Sequence, residues 1–280
     1  MKSIQDLLDG YINNNPHLSR GTIVAYDRIA RKYGDMDLTK AKYNDIMEVV
    51  RREKNPNSQA AVLNLAILLT QDRRELHTRL QREREPLKER IEARRKGQLE
   101  RDNDDLPSYD DIVAIMNEMT GLDYIINFLL INYALRNMDF MLQNFLLKQD
   151  VPDDKGNYIH YNKKLKCVSL FISSYKTSKP YGTKIINICD TKFINEFRGL
   201  VLNDGEYLIS TQQRKKPSAS YLSDILLNRS VSGLGEGRIM KIVTKHLLEK
   251  YDYKKLQEIS ASRGTSLAVI LSSYNLMNNK

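Results

Sequence analysis

Along the first quarter of the chain, apolar residues recur at intervals of three and four, the spacing of one face of an α-helix. Ile4, Leu7, Leu8, Tyr11 and Ile12 form the first such set. A second predicted helix follows Ser19, presents Ile23, Tyr26, Ile29, Ala30 and Tyr33, and stops at Gly34. A third follows Thr39 with Tyr43, Ile46, Met47 and Val50 on one face. After the break at Asn55-Pro56-Asn57, the stretch Ala60 to Leu69 is apolar almost all round, which marks the buried member of a small helical bundle. Residues 1–75 therefore read as an all-helical domain. From Arg73 to Arg101 the pattern gives way to dense Arg and Glu, interrupted by Pro86 and Gly97. A charged linker or exposed helix over 76–106 explains that run. Asp102 to Asp105 and then Pro107 mark the entrance to a second domain, 107–280.

The second domain opens on Ser108 with Asp111 three residues later, a capping-box pattern. The helix it starts places Ile112, Ile115, Met116 and Met119 on its inner face. A long apolar helix is expected from about Leu122 to Leu147. The period then changes from helical to two: Tyr158 to Tyr161, Leu165 to Tyr175 with Val168, Leu170 and Ile172 in phase, and Thr183 to Ile188. Lys179-Pro180-Tyr181-Gly182 supplies the turn between the last two strands. Helices resume near Lys192 to Leu202, Ala219 to Asn228, Arg238 to Lys250, Tyr253 to Ser262 and Leu267 to Leu276. The predicted fold is mainly α with one small antiparallel β-sheet, the second domain being α+β.

Composition narrows the partners. At 280 residues the chain has room for two cores. Its formal charge of +9 favours a polyanion, because Lys and Arg contacts to phosphates release counterions. The Arg-rich run before residue 101 could lie along such a backbone. The most apolar stretch, Ile125 to Ile131, is too short to cross a bilayer, and no signal-peptide core opens the chain, so an intracellular protein without a membrane partner is expected. Cys167 and Cys189 have no metal-ligand spacing, and reduced thiols are expected.

Cutting a DNA strand without metal or nucleotide requires fixed guanidinium groups on the phosphate oxygens, two as the usual minimum. It also requires a nucleophile that keeps the bond energy in an ester, and an acid for the departing 5′ oxygen; a tyrosine phenol, pKa about 10, and a lysine can serve. The chain offers these parts in order. Arg136 and Asp139 lie in Tyr133-Ala134-Leu135-Arg136-Asn137-Met138-Asp139, placed by their spacing on neighbouring helix positions. Ser174-Tyr175-Lys176-Thr177-Ser178-Lys179 stands between two strands, and Leu256 to Ser266 ends in Arg263-Gly264-Thr265-Ser266, with Tyr274 nine positions after Thr265.

These segments resemble the tyrosine recombinase (integrase) family. The resemblance implies that Arg136 grips the scissile phosphate, that Lys176 on the hairpin is the general acid with Lys179 as competitor, and that Tyr274 is the nucleophile. The helix opening at Leu18-Ser19 resembles the family's core-binding domain, which implies a clamp around double-stranded DNA, with 107–280 as the catalytic domain. Recombination of this type further implies a homo-tetramer on two DNA sites, no cofactor and a 3′-phosphotyrosyl intermediate. Two departures stand out. Thr265 replaces the family's His before Ser, and the His-x-x-Arg box has only Gly235-Glu236-Gly237-Arg238-Ile239-Met240-Lys241 to match it. Aligning apolar residues puts Met240 where the second Arg belongs, so the role falls to Arg238 or Lys241. Arg238 is preferred because it begins a helix after a Gly-rich loop, and His246 is expected to pack beside that helix. The rivals are a type IB topoisomerase and a DNA-binding protein of the same fold with a decayed site. Lys-, Asn-, Ile- and Tyr-rich usage suits an AT-rich mobile element or virus.

Overall fold

The computed structural model describes residues 3–15, 18, 20–34, 36–37, 40–146, 156–175, 178, 182–211, 213 and 215–276. The chain forms two compact units, Met1–Gln98 and Leu99–Lys280. In the first, α1 (Ile4–Asn14), α2 (Arg20–Lys32), α3 (Tyr43–Arg52) and α4 (Pro56–Leu69) are followed by α5 (Arg74–Arg82) and the start of α6 (Arg84–Asp105). Ser3 caps α1 through the Asp6 N–H, and Pro56 sits at the first position of α4, where its missing donor costs nothing. The expected helix starts Ser19 and Thr39 lie outside the described residues. Val62, Leu63, Leu65, Ala66 and Ile67 bury α4 nearly all round, as its pattern requires. Leu76, Leu80 and Leu87 of the Arg-rich stretch join the same core, so residues 74–87 are helix packed on the bundle by one narrow stripe.

In the second unit, α7 (Tyr109–Glu118) starts on the Ser108–Asp111 capping box, and α8 (Gly121–Tyr133) follows. A 3₁₀ turn (Asn137–Phe140) leads into a sheet of β1 (Leu142–Asn144), β2 (Asn157–Asn162), β3 (Cys167–Ile172) and β4 (Lys184–Ile188). The strands are ordered β1-β2-β3-β4, antiparallel except for the parallel β1–β2 pair. The chain closes with α9 (Thr191–Gly199), α10 (Ala219–Arg229), α11 (Glu236–Glu249), α12 (Tyr253–Arg263) and α13 (Leu267–Tyr274). Phe140, Ile159, Leu170, Ile186, Phe193 and Ile239 meet in one core between sheet and helices. The fold is mainly α with one small sheet.

Two expectations are corrected. The apolar helix stops at Tyr133, far short of Leu147, because Ala134 takes a left-handed conformation (φ 49°). Distant groups satisfy its last carbonyls: Ser262 Oγ donates to Tyr133 at 2.7 Å and Arg263 Nη1 to Ala134 at 2.9 Å. Apolar content continues past the break only because it serves the 3₁₀ turn and edge strand β1. The cysteines are not reduced thiols. Val168 pairs with Ile188 across β3 and β4, so Cys167 and Cys189 form the next opposed pair and are joined as a disulfide. Strand register brought them together, which their separation in sequence conceals.

Candidate active site

α12 ends on Arg263, and the chain turns there through Gly264 in the left-handed region (φ 61°), which glycine enters without steric cost. Thr265, buried, donates its N–H to the Ser260 carbonyl at 3.1 Å and accepts Ser260 Oγ on its own carbonyl at 2.6 Å. Ser266 then caps α13 through the Val269 N–H. Leu267, Ile270, Leu271 and Tyr274 follow at helical spacing and pack on the unit's core. That spacing turns Tyr274 inward.

Inside, the Tyr274 hydroxyl meets Arg263. Leu256, Ile259, Ser260 and Arg263 share the buried stripe of α12, and Arg263 is only 2% exposed. Its Nη2 donates to Tyr274 Oη at 2.9 Å and to Glu236 Oε1 at 3.0 Å, while Nη1 is fixed on the Ala134 carbonyl. The buried Nε has no hydrogen-bond partner among the described residues. Glu236, the first residue of α11, uses its other oxygen to accept the Asn137 N–H at 2.5 Å. One carboxylate therefore ties the guanidinium beside Tyr274 to the backbone immediately after Arg136.

Arg136 is half-buried and stands at the entrance of the 3₁₀ turn, not on a helix as its spacing to Asp139 suggested. Asp139 Oδ2 accepts the Arg136 N–H at 3.1 Å and Lys184 Nζ at 3.4 Å. Both members of that pair are buried. Burial pushes the Asp139 carboxyl up, against the lowering effect of Lys184 and Arg136. Burial likewise pushes the Lys184 ammonium down; Asp139 opposes this, and Arg136 and Arg263 add to it. Lys184 and Thr265 both line an open cleft of about 720 Å³ between β4, the end of α8 and α12.

The sequence-derived residues thus fall into three groups. Tyr274 and the Arg136 loop gather around Arg263 and Glu236, whereas Thr265, two residues after Arg263, is bonded through its backbone to Ser260. Arg238 does not join them: it is exposed, with Nε 3.5 Å from Asp102 Oδ1. Lys241 Nζ contacts the other oxygen of that buried carboxylate. The reason is helical phase. Glu236 and buried Met240 are one turn apart on the inner face, whereas Arg238 lies roughly 200° around the helix from Glu236. His246 stacks on Tyr109 with ring centroids 3.9 Å apart. Lys176 and Lys179 lie outside the described residues.

Arg263, Glu236 and Lys184 were missed, yet each carries a readable signal. Arg263 is in phase with Leu256 and Ile259, Glu236 with Met240 and Val243, and Lys184 with Ile186 and Ile188. A charge on a buried stripe needs a partner, and such partners gather at sites. Among the described residues no group of three His, Cys, Asp or Glu is placed to hold a metal ion, and no helix is long and apolar enough to cross a membrane.

No protein-family model matches the chain, and no curated protein matches it in sequence. Among solved structures it is similar to XerA recombinase, at 11% identity and a TM-score of 0.36, over 97% of this chain and 94% of that one. It is also similar to a lambda integrase tetramer bound to a Holliday junction, at 12% identity and a TM-score of 0.43, over 96% of this chain and 77% of that one. Likenesses this distant assign no activity, so the chemistry has to come from the side chains.

Proposed function

We propose that the chain is a site-specific DNA recombinase of the tyrosine type, cleaving and rejoining strands of double-stranded DNA through a 3′-phosphotyrosyl intermediate. The observation that carries this reading is the buried Arg263 guanidinium, which donates to Tyr274 Oη while Ala134 and Glu236 hold it in place. A donor fixed on the attacking oxygen stabilises charge that develops there, at no reorganisation cost during the reaction. The second guanidinium of the phosphate grip is then Arg263, in place of Arg238, with Arg136 as the first. Tyr274 Oη attacks phosphorus, the P–O5′ bond breaks, and the reverse attack by a 5′ hydroxyl restores the strand. Thr265 contributes a hydrogen bond where the family has His, which makes the reaction slower. The first unit serves as the core-binding half of a DNA clamp, and a homo-tetramer on two sites completes recombination.

A second reading, a DNA-binding protein of this fold that does not cut, is favoured by one observation. Three of the Arg263 N–H groups end on acceptors of the protein itself. One experiment separates the two. A nicked suicide duplex carrying the cognate site is incubated with the protein, and the DNA-linked peptide is mapped by mass spectrometry. The expected adduct is on Tyr274 and is absent in Tyr274→Phe. DNA binding without any adduct sinks the enzymatic reading and leaves the second.

A further inference from the structure

Resting on the recombinase reading, we propose that the Cys167–Cys189 disulfide is a thiol–disulfide exchange site, opened by a dithiol at Cys189, that governs how firmly β4 supports the cleavage site. The two cysteines differ in access: Cys167 is 4% exposed and buried, whereas Cys189 is exposed. A reductant in solvent therefore meets the Cys189 sulfur first. Their Cα atoms are 4.3 Å apart, the close spacing of an opposed antiparallel pair that exchanges no ladder hydrogen bonds. The sulfur bond is thus what ties the strands at this point. Cells keep thiols reduced where most of their DNA lies, and disulfides that form there are usually transient and redox-sensing. On a chain that cuts DNA, such a bond suits a sensor better than a permanent staple.

What the bond ties is the strand behind the site. Among the described residues β4 pairs with β3 alone, from Ile172–Lys184 to Val168–Ile188, and the disulfide stands one pair beyond. Lys184, Ile186 and Ile188 alternate inward along β4, while Ile185 and Asn187 face out. At the start of the strand, Lys184 Nζ reaches Asp139 Oδ2, the oxygen that also accepts the Arg136 N–H. A β4 that opens withdraws that ammonium and loosens the backbone at the proposed phosphate grip. The bond closes a loop across a sequence separation of 22. A link across a loop of that length disfavours the opened chain by entropy, on the order of a hundredfold. The exchange balances. One thiolate of the dithiol attacks Cys189 Sγ, the S–S bond breaks, and Cys167 leaves as a thiolate that takes up a proton. The second thiol then attacks the mixed disulfide and releases Cys189, so the reductant ends as a disulfide and its electrons and protons reside on the cysteines. Cys167 Sγ lies 3.1 Å from the Leu165 carbonyl oxygen, so the buried thiol has an acceptor at hand.

The test takes the full chain in its oxidised form and equilibrates it with dithiothreitol in the absence of denaturant. Alkylation by N-ethylmaleimide, read by mass spectrometry, should find both thiols in a chain that stays folded. Amides from Lys184 to Ile188 should then exchange with solvent roughly a hundredfold faster. Formation of the Tyr274 adduct should slow by about tenfold or more, the usual scale of coupling between separate sites, and reoxidation should restore it. Cys189→Ser should behave as the reduced chain and ignore dithiothreitol. A bond that opens only in urea is a staple and overturns the proposal, as do global unfolding on reduction and cysteines that stay thiols under oxidised glutathione. Unchanged β4 exchange overturns it too, and so does faster exchange with an unchanged adduct rate. If no Tyr274 adduct forms in either redox state, the recombinase reading itself falls, while alkylation and amide exchange still decide whether the bond opens and governs β4.

Discussion

Two clusters of charge sit on opposite faces of α11. On the outer face Asp102, 2% exposed, receives both Arg238 and Lys241, and Arg238 leaves half of its side chain in solvent. On the inner face the buried member is the cation: Arg263 spreads its donors over a carbonyl, a carboxylate and the Tyr274 hydroxyl. The outer cluster gathers more cations, yet both answer a carboxylate, so it pins the end of α6. In the inner cluster one donor ends on the Tyr274 hydroxyl, the oxygen proposed to attack the phosphate. The two clusters differ in which group is buried and where its hydrogen bonds end, and the proposed function rests on that difference, not on how many charges are assembled.

The sharpest way to break that comparison is Arg263→Ala. Adduct formation on Tyr274 should fall by about two to three powers of ten, the loss typical of one transition-state donor. Single-turnover cleavage measures it, and Arg263→Lys should not restore the rate, because one ammonium cannot span the three acceptors. Asp102→Ala tests the opposite face. It strands Lys241, and should cost about 3 kcal/mol in urea unfolding, as removal of one member of a buried pair does, while cleavage per folded molecule stays near wild type. Strong loss of cleavage there would make the outer cluster part of the chemistry.

The pair at Lys184 and Asp139 extends the comparison to pH. Lys184→Met leaves Asp139 buried without its cation, so its carboxyl, already raised by burial, rises further. A group whose folded pKa is raised stabilises fully below its unfolded value, about 4 for Asp, and loses that contribution as pH climbs through the folded one. The stability deficit of Lys184→Met should therefore shrink on acidification toward pH about 4, as read from urea midpoints along a pH series. A deficit independent of pH would mean that Asp139 does not titrate in this range. Arg238→Ala should have the smallest effect. With its side chain 52% exposed and its contact to Asp102 at 3.5 Å, the change should be below about 1 kcal/mol in stability. Cleavage should stay within a few-fold of wild type, and a loss as large as that of Arg263→Ala would restore Arg238 to the phosphate grip.

The amino-acid sequence by itself determined the local elements and their faces. Helical spacing set α1 to α4 and α7, the Ser108 and Asp111 pair started α7 where it starts, and alternation marked β2, β3 and β4. It also set the register that carries the chain from Gly264 through Ser266 to Tyr274. These are short-range consequences of backbone period and capping, which neighbouring residues suffice to specify. Only the tertiary structure decided the rest. α8 stops at Tyr133 because groups from α12 take its last carbonyls, and the cysteines meet because β3 and β4 share a register. The partner of Tyr274 is Arg263 and not Arg238 because each arginine lies on a helix face whose neighbour comes from elsewhere in the chain. Alone, Arg263 reads as an ordinary cation in the last turn of a helix. Its hydrogen bonds arise from the convergence of the ends of α8, α11 and α12, and the free energy of burying a guanidinium there depends on an acceptor more than a hundred residues away along the sequence, at Ala134.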